Sequence, residues 1–175
     1  MNKKFYVTKP FLPPLCEVNN LLESIWDKGW VTNQGYFHQI FEEKLAEYLN
    51  ISHISLFSSG TTSLLTAIKA TAIKGEVITT PFSFVATAHS IAWNGLETVF
   101  VDVDAKTLNI DPKSIVEAIT EKTSAILPVH CFGNPCDVDA IESIAERYNL
   151  KIIYDGAHAF GTDCHCGSIL SHGNY

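Results

Sequence analysis

Several things are missing from this 175-residue sequence, and each absence removes a class of function. No apolar run approaches the roughly 20 residues a membrane-spanning helix needs. The basic start, Asn2-Lys3-Lys4-Phe5-Tyr6-Val7-Thr8-Lys9, has no apolar stretch behind it, so no secretory signal is expected. Basic residues are scarce, with 12 Lys and Arg against 19 Asp and Glu and a net charge of −7. That balance argues against nucleic acid and anionic membranes as partners. There is no GxGxxG and no GxxxxGK[ST], which removes the usual dinucleotide and P-loop readings. No GxSxG elbow stands out as a nucleophile motif. Cys131, Cys136, Cys164, His165, Cys166 and His172 are candidate metal ligands by residue type. Their spacing matches neither paired CxxC knuckles nor HExxH, so a metal-free chain with reduced thiols is expected. Five cysteines without a signal peptide also point to the cytoplasm.

What is present is a globular composition, 46 % hydrophobic and 18 % charged. There is no repeat, low-complexity tract or linker. Lys9-Pro10-Phe11-Leu12-Pro13-Pro14 reads as an extended arm. Two amphipathic helices follow, one with Val18, Leu21, Leu22, Ile25 and Trp26 on a face, the other with Phe37, Ile40, Phe41, Leu45 and Tyr48. Beyond them, strands are expected at Ile54–Phe57, Val77–Thr80, Thr98–Val101, Ser124–Val129 and Lys151–Tyr154. Helices are expected at Thr61–Ala72, Val85–Trp93, Pro112–Ile119 and Asp137–Tyr148. Strands alternating with helices imply an α/β fold with a mostly parallel sheet covered on both faces. Ligands of such sheets bind outside the carboxyl ends of the strands.

Four segments follow those ends. Ser58-Ser59-Gly60-Thr61-Thr62-Ser63 opens a helix and reads as an anion site or as a plain Ser/Thr cap; the segment alone leaves both open. Phe84, in Pro81-Phe82-Ser83-Phe84-Val85-Ala86-Thr87, is placed to stack on a flat ring or to join the core. His130 follows the fourth strand. Asp155 follows the fifth, in Asp155-Gly156-Ala157-His158-Ala159. At the end of an interior strand its carboxylate needs a cation or hydrogen bonds; a protonated ring nitrogen or a turn would supply them.

Taken in order, these segments resemble the DegT/DnrJ/StrS-type pyridoxal-phosphate-dependent nucleotide-sugar aminotransferases. Asp102-Val103-Asp104, Pro128-Val129-His130 with Gly133, Trp30-Val31-Thr32-Asn33-Gln34-Gly35 and Phe41-Glu42 carry the likeness further. The resemblance implies a type I aminotransferase large domain that is incomplete, with residues 1–50 forming the arm and helices and 51–175 part of the cofactor-binding domain. It implies that Thr61 and Thr62 hold the phosphate of pyridoxal phosphate, Phe84 stacks on its ring, Asp155 pairs with the ring nitrogen, and His158 lies beside the ring. His130 belongs to the pattern without an implied role. The family's Schiff-base lysine belongs to a segment beyond Tyr175, so no catalytic residue is assigned here, and this chain is expected to be an inactive N-terminal fragment. Relatives transfer an amino group from glutamate to a 4-keto-6-deoxy sugar on a nucleotide, with dTDP the expected carrier, and work as cytoplasmic homodimers. Two alternatives stay open: a dehydratase-like member of the family, and a non-catalytic α/β domain that binds a phosphorylated small molecule.

Overall fold

The computed structural model describes residues 9–165 and 167–173. The chain divides into two compact units, Met1–Phe41 and Glu42–Tyr175, and the division falls inside a helix. In the first unit, helix α1 spans Leu15–Lys28. It ends because Gly29 turns left-handed (φ 62°) and its amide returns to the carbonyls of Ile25 and Trp26. The following loop is pinned by the Trp30 indole, which donates to Thr32 Oγ1 at 3.0 Å and to the Asn33 carbonyl at 3.2 Å. Helix α2, Tyr36–Leu49, runs on into the second unit.

The second unit continues with α3 (Gly60–Thr71), β1 (Glu76–Thr79), α4 (Val85–Trp93), β2 (Glu97–Phe100), α5 (Pro112–Ala118) and β3 (Thr123–Ile126). Then come α6 (Val138–Tyr148), β4 (Lys151–Ile152), and a hairpin of β5 (Asp163–Cys164) and β6 (Gly167–Ser168). Side-chain oxygens start three of these helices: Ser59 caps α3, Asp111 caps α5 ahead of Pro112, and Asp137 caps α6. None of the described helices is long and apolar enough to cross a membrane.

Strands β2-β1-β3-β4, in that order, form one sheet in which every neighbouring pair is parallel. Because side chains alternate along a strand, the sheet builds a core on each face. Val77, Ala125, Leu127 and Ile153 pack with Leu64 and Ile68 of α3 and Ile91 of α4. Ile78, Ile126 and Ile152 pack with Ile115 of α5 and Ile141 and Ala145 of α6. Each fully buried Ile or Leu contributes about 1.5–3 kcal/mol relative to exposure. The expected α/β fold, mostly parallel with helices on both faces, is the one observed.

Three expectations are corrected. Ile54–Phe57 is not a strand. Among the described residues no strand lies beside it, and the Leu56 amide donates to Glu42 Oε1 at 3.1 Å instead of to a ladder. The strand expected at Ser124–Val129 ends at Ile126, because Pro128 has no N–H to continue the pairing. Isolated bonds still carry the chain forward, from the Leu127 amide to the Ile78 carbonyl at 2.8 Å and from the Asp155 amide to the Pro128 carbonyl at 2.8 Å. Finally, among the described residues β4 pairs on one side only, so in this four-stranded sheet Asp155 follows an edge strand, not an interior one. It meets Val129 in a single parallel bridge.

Candidate cofactor site

Parallel strands bring their carboxyl ends to one edge, and the loops after β1, β3 and β4 open there. Helix α3 leads into the start of β1, so its first turn also lies toward the carboxyl edge. Topology alone therefore gathers Thr61, Thr62, Phe84, His130, Asp155 and His158 on one side of the sheet.

Asp155 is buried at 8 % exposure. Its Oδ2 accepts from Thr87 Oγ1 at 2.8 Å and its Oδ1 from the Ala157 amide at 3.1 Å. A carboxylate can only accept, so the one Thr87 hydroxyl proton goes to Asp155. The Ser83 hydroxyl must then donate to Thr87, at 2.6 Å. Ser83 and Thr87, which position the acid, were not singled out from the sequence. Two neutral donors leave the charge of Asp155 uncompensated, and a buried carboxylate in that state favours a cationic or protonated partner.

Phe84 sits at the N-cap of α4 with its ring 70 % exposed, out of the core. Together with Pro81, Phe82, Cys131, Phe132 and His158 it lines a cavity of about 330 Å³. The Phe132 and His158 rings stack at 5.8 Å with 9° between planes, and His158 Nδ1 accepts from the Phe132 amide at 3.4 Å. Phe132 takes a left-handed φ of 52°, and a Cβ on Gly133 (φ 78°) would lie 3.0 Å from the His158 carbonyl oxygen. Glycine is required there.

Thr62 is committed to the helix cap: its amide donates to Ser59 Oγ at 3.2 Å and its hydroxyl to the Ser59 carbonyl at 2.8 Å. The first amides of a helix have no acceptor inside it, which leaves those of Gly60 and Thr61 as the outward donors. No hydrogen bond among the described residues joins this turn to Asp155 or His158; they share only the edge. A larger cavity, about 560 Å³, is lined wholly by the N-terminal unit, including Trp30, Tyr36 and His38, and holds none of these residues.

His130 has a structural place. Its ring is fully buried and stacks on Tyr154 at 4.7 Å, and Nδ1 accepts from the Cys136 amide at 3.1 Å. Burial, with a smaller push from nearby His172, lowers its pKa to about 4. The ring is therefore neutral, with its proton on Nε2, and Nε2 has no hydrogen-bond partner among the described residues. Asn109, also missed in the sequence, clamps the same loop. Its amide donates to the carbonyls of Asn134 and Pro135 at 3.0 and 2.9 Å, and its oxygen accepts from the Cys131 amide at 3.0 Å. Signals of this kind link positions more than 20 residues apart and have no local pattern.

The thiols of Cys131 and Cys136 donate to backbone carbonyls, and burial raises both pKa values, that of Cys136 to about 12. Both are protonated packing groups. Among the described residues no three His, Cys, Asp or Glu side chains converge as a metal site; Cys166 lies outside them.

The chain is similar in sequence and fold to known proteins. The chain is 59 % identical over 174 residues to a dTDP-4-amino-4,6-dideoxy-D-glucose transaminase of Shigella dysenteriae, covering 99 % of this chain but 47 % of that protein. It therefore spans about half the length of the curated relative. The structure of DesI in the presence of its TDP-sugar product superposes with a TM-score of 0.81 at 34 % identity, over 85 % of this chain and 38 % of that one. NtdA of Bacillus subtilis, with bound cofactor PMP, gives a TM-score of 0.77 at 33 % identity, over 92 % and 39 %. The family model for the DegT/DnrJ/EryC1/StrS aminotransferases matches residues 16–171, and on that extent of agreement the chain belongs to the DegT/DnrJ/EryC1/StrS aminotransferase family.

Proposed function

We propose that the carboxyl edge of the sheet is the cofactor-binding part of a sugar aminotransferase that moves an amino group from glutamate to a dTDP-linked 4-keto-6-deoxy sugar. The observation that carries this reading is Asp155, a buried carboxylate given two neutral donors and no cation by the described residues. The residues fit pyridoxal phosphate: a buried acid for its ring nitrogen, an exposed aromatic face beside an apolar cavity, and outward amides at a helix start. When bound, the cofactor supplies an electron sink for the carbon that loses its proton.

The chain's own residues hold it. Asp155 keeps a proton on the ring nitrogen, and the Ser83–Thr87 relay fixes the direction of its carboxylate. Phe84 offers its face to the ring, and Thr61 with the outward amides of Gly60 and Thr61 receives the phosphate, while Thr62 holds the helix cap that aims them. His158, already stacked on Phe132, lies beside the ring. Residues 51–175 are part of the cofactor-binding domain, and residues 1–50 the arm and helices that precede it; the full-length protein works as a homodimer. No lysine lines the cavity among the described residues, so the 175-residue chain binds the cofactor without a covalent bond and does not turn over.

Equilibrium dialysis of the chain against pyridoxal phosphate checks this. Weak binding, reduced about tenfold in Asp155→Ala, is expected for the loss of one charged partner. Equal binding by both proteins, or amino-sugar formation from glutamate and the keto-sugar nucleotide by the chain alone, overturns it.

A further inference from the structure

A second cluster of reactive groups lies apart from Asp155 and its donors. The hairpin β5–β6 and the 3₁₀ turn Ile169–Ser171 pack on the start of α6 through a small core of Val138, Ala159 and Ile169, joined by Tyr154, Cys164 and Leu170. This packing brings together three side chains distant in sequence. His172 Nδ1 lies 2.9 Å from Glu142 Oε1, and Cys164 Sγ lies 3.3 Å from His172 Nε2. The order is thiol, imidazole, carboxylate.

Glu142 can only accept, so Nδ1 carries a proton; in the neutral ring Nε2 then presents its lone pair toward the thiol, which also meets the Gly167 carbonyl at 3.3 Å. Both His172 nitrogens are used in different directions, so the three groups do not converge on one ion. The His172 side chain is 13 % exposed, enough shelter to hold one orientation, while Cys164 is only partly buried. The Cys164 thiol thus meets a carbonyl as well, but Cys131 and Cys136 differ in meeting carbonyl oxygens without an imidazole nitrogen.

We propose that Cys164 is a reversible thiol-modification site whose reaction partner is a low-molecular-weight disulfide, with His172 as its proton acceptor and Glu142 positioning that imidazole. Nε2 takes the proton from Sγ as Sγ attacks one sulfur of the disulfide. The Cys164–sulfur bond forms, the original sulfur–sulfur bond breaks, and the departing thiolate takes up the proton held at Nε2. One disulfide is replaced by another, so no further oxidant is needed. Excess small thiol reverses the step.

The charged and titratable surroundings are mixed. Glu142, Asp139 and Glu146 come from α6, His165 from the β5–β6 turn (3.8 Å from Asp139), Asp163 from β5, Lys151 and Tyr154 from β4 and the residues after it, and His130 from the loop after β3. Burial works against a charged His172, but its bonds to Glu142 and Cys164 outweigh this, and its pKa is raised. Glu142 therefore acts on the imidazole, where its charge favours proton uptake from the thiol.

The test is alkylation of the whole chain by iodoacetamide between pH 5.5 and 9, with each cysteine followed by peptide mass spectrometry and exposed Cys16 as internal reference. At pH 6.5 Cys164 is expected to react about tenfold faster than Cys16, with its midpoint below the ordinary thiol value of about 8.5. His172→Ala removes the low-pH reactivity, and Glu142→Gln raises the midpoint. A purely structural bond would not move a midpoint in this way. Oxidised glutathione is expected to leave one glutathionyl group on Cys164, removed by dithiothreitol. The wild-type profile needs no variant to fold. If Cys164 reacts no faster than Cys16 at pH 6.5, or if Cys166 takes the glutathionyl group in its place, the proposal fails.

Discussion

Helices α1 and α6 both carry a clear apolar face in sequence, yet they end in opposite situations. Helix α6 buries Ile141 and Ala145 against the sheet, and Val138 against Ala159 and Ile169. Helix α1 buries nothing: Leu21 is 52 % exposed and Trp26 74 %. An amphipathic pattern says which face of a helix needs cover, not whether the same chain supplies it. The sheet supplies cover for α6 because βαβ connection returns each helix to the strands beside it. Among the described residues helix α1 has no strand before or directly after it.

The largest expected effect breaks the covered helix. Ile141→Ala, at a fully buried position, should cost about 2–5 kcal/mol in urea unfolding of the chain. A cost below that of an exposed substitution would mean that α6 is not part of the cooperative unit.

The covered region should also be acid-sensitive through His130. Its folded pKa of about 4 lies below the unfolded 6.5, so the unfolded chain binds the extra proton. The contribution is complete above pH 6.5, declines as pH falls, and is lost through pH 4, amounting to on the order of 3 kcal/mol. His172 runs the other way: its raised pKa gives stability that is full below 6.5 and lost as pH rises through the folded value. Urea midpoints from pH 4 to 8 for the wild type and His130→Gln test this, and equal acid sensitivity in both would remove His130 as the cause.

Thr87→Val should cost about 1–2 kcal/mol, because it leaves Asp155 Oδ2 and the Ser83 hydroxyl without their partner. The same variant should weaken pyridoxal phosphate binding if that relay orients the acid. Unchanged stability would show that water replaces the hydroxyl.

The smallest effect sharpens the contrast. Leu21→Ala and Trp26→Ser on α1 should change stability by no more than about 0.5 kcal/mol. Both should reduce self-association, read by sedimentation velocity, because they shrink an exposed apolar face. A large loss of stability would show that α1 is covered in solution.

Much of the sheet was legible because its signals are local. Helix α4 begins and ends where Val85 and Trp93 bound the periodic run, and Asp111-Pro112 marked the start of α5. Ile54–Phe57 misled because alternation identifies a strand-like segment but not a partner for its backbone. The β5–β6 hairpin, two residues a side, is too short to leave a periodicity. Phe84 and His158 were legible as residues following strands, whereas the cavity they share depends on Phe132 adopting a left-handed turn.

By itself the sequence determined the alternation of strands and helices, the family likeness, and the placement of Phe84, Asp155 and His158 at one edge. The alternation and the edge placement follow from side-chain period and chain order over stretches of about ten residues, whereas the likeness is a resemblance carried by the quoted segments taken in order. Only the tertiary structure decided which groups act on one another: Thr87 on Asp155 across 68 residues, Asn109 on Cys131 across 22, and Glu142 on His172 across 30. A hydrogen bond requires two atoms about 3 Å apart at a set angle. That condition is met by how helices and strands pack, and no local pattern of residues encodes it.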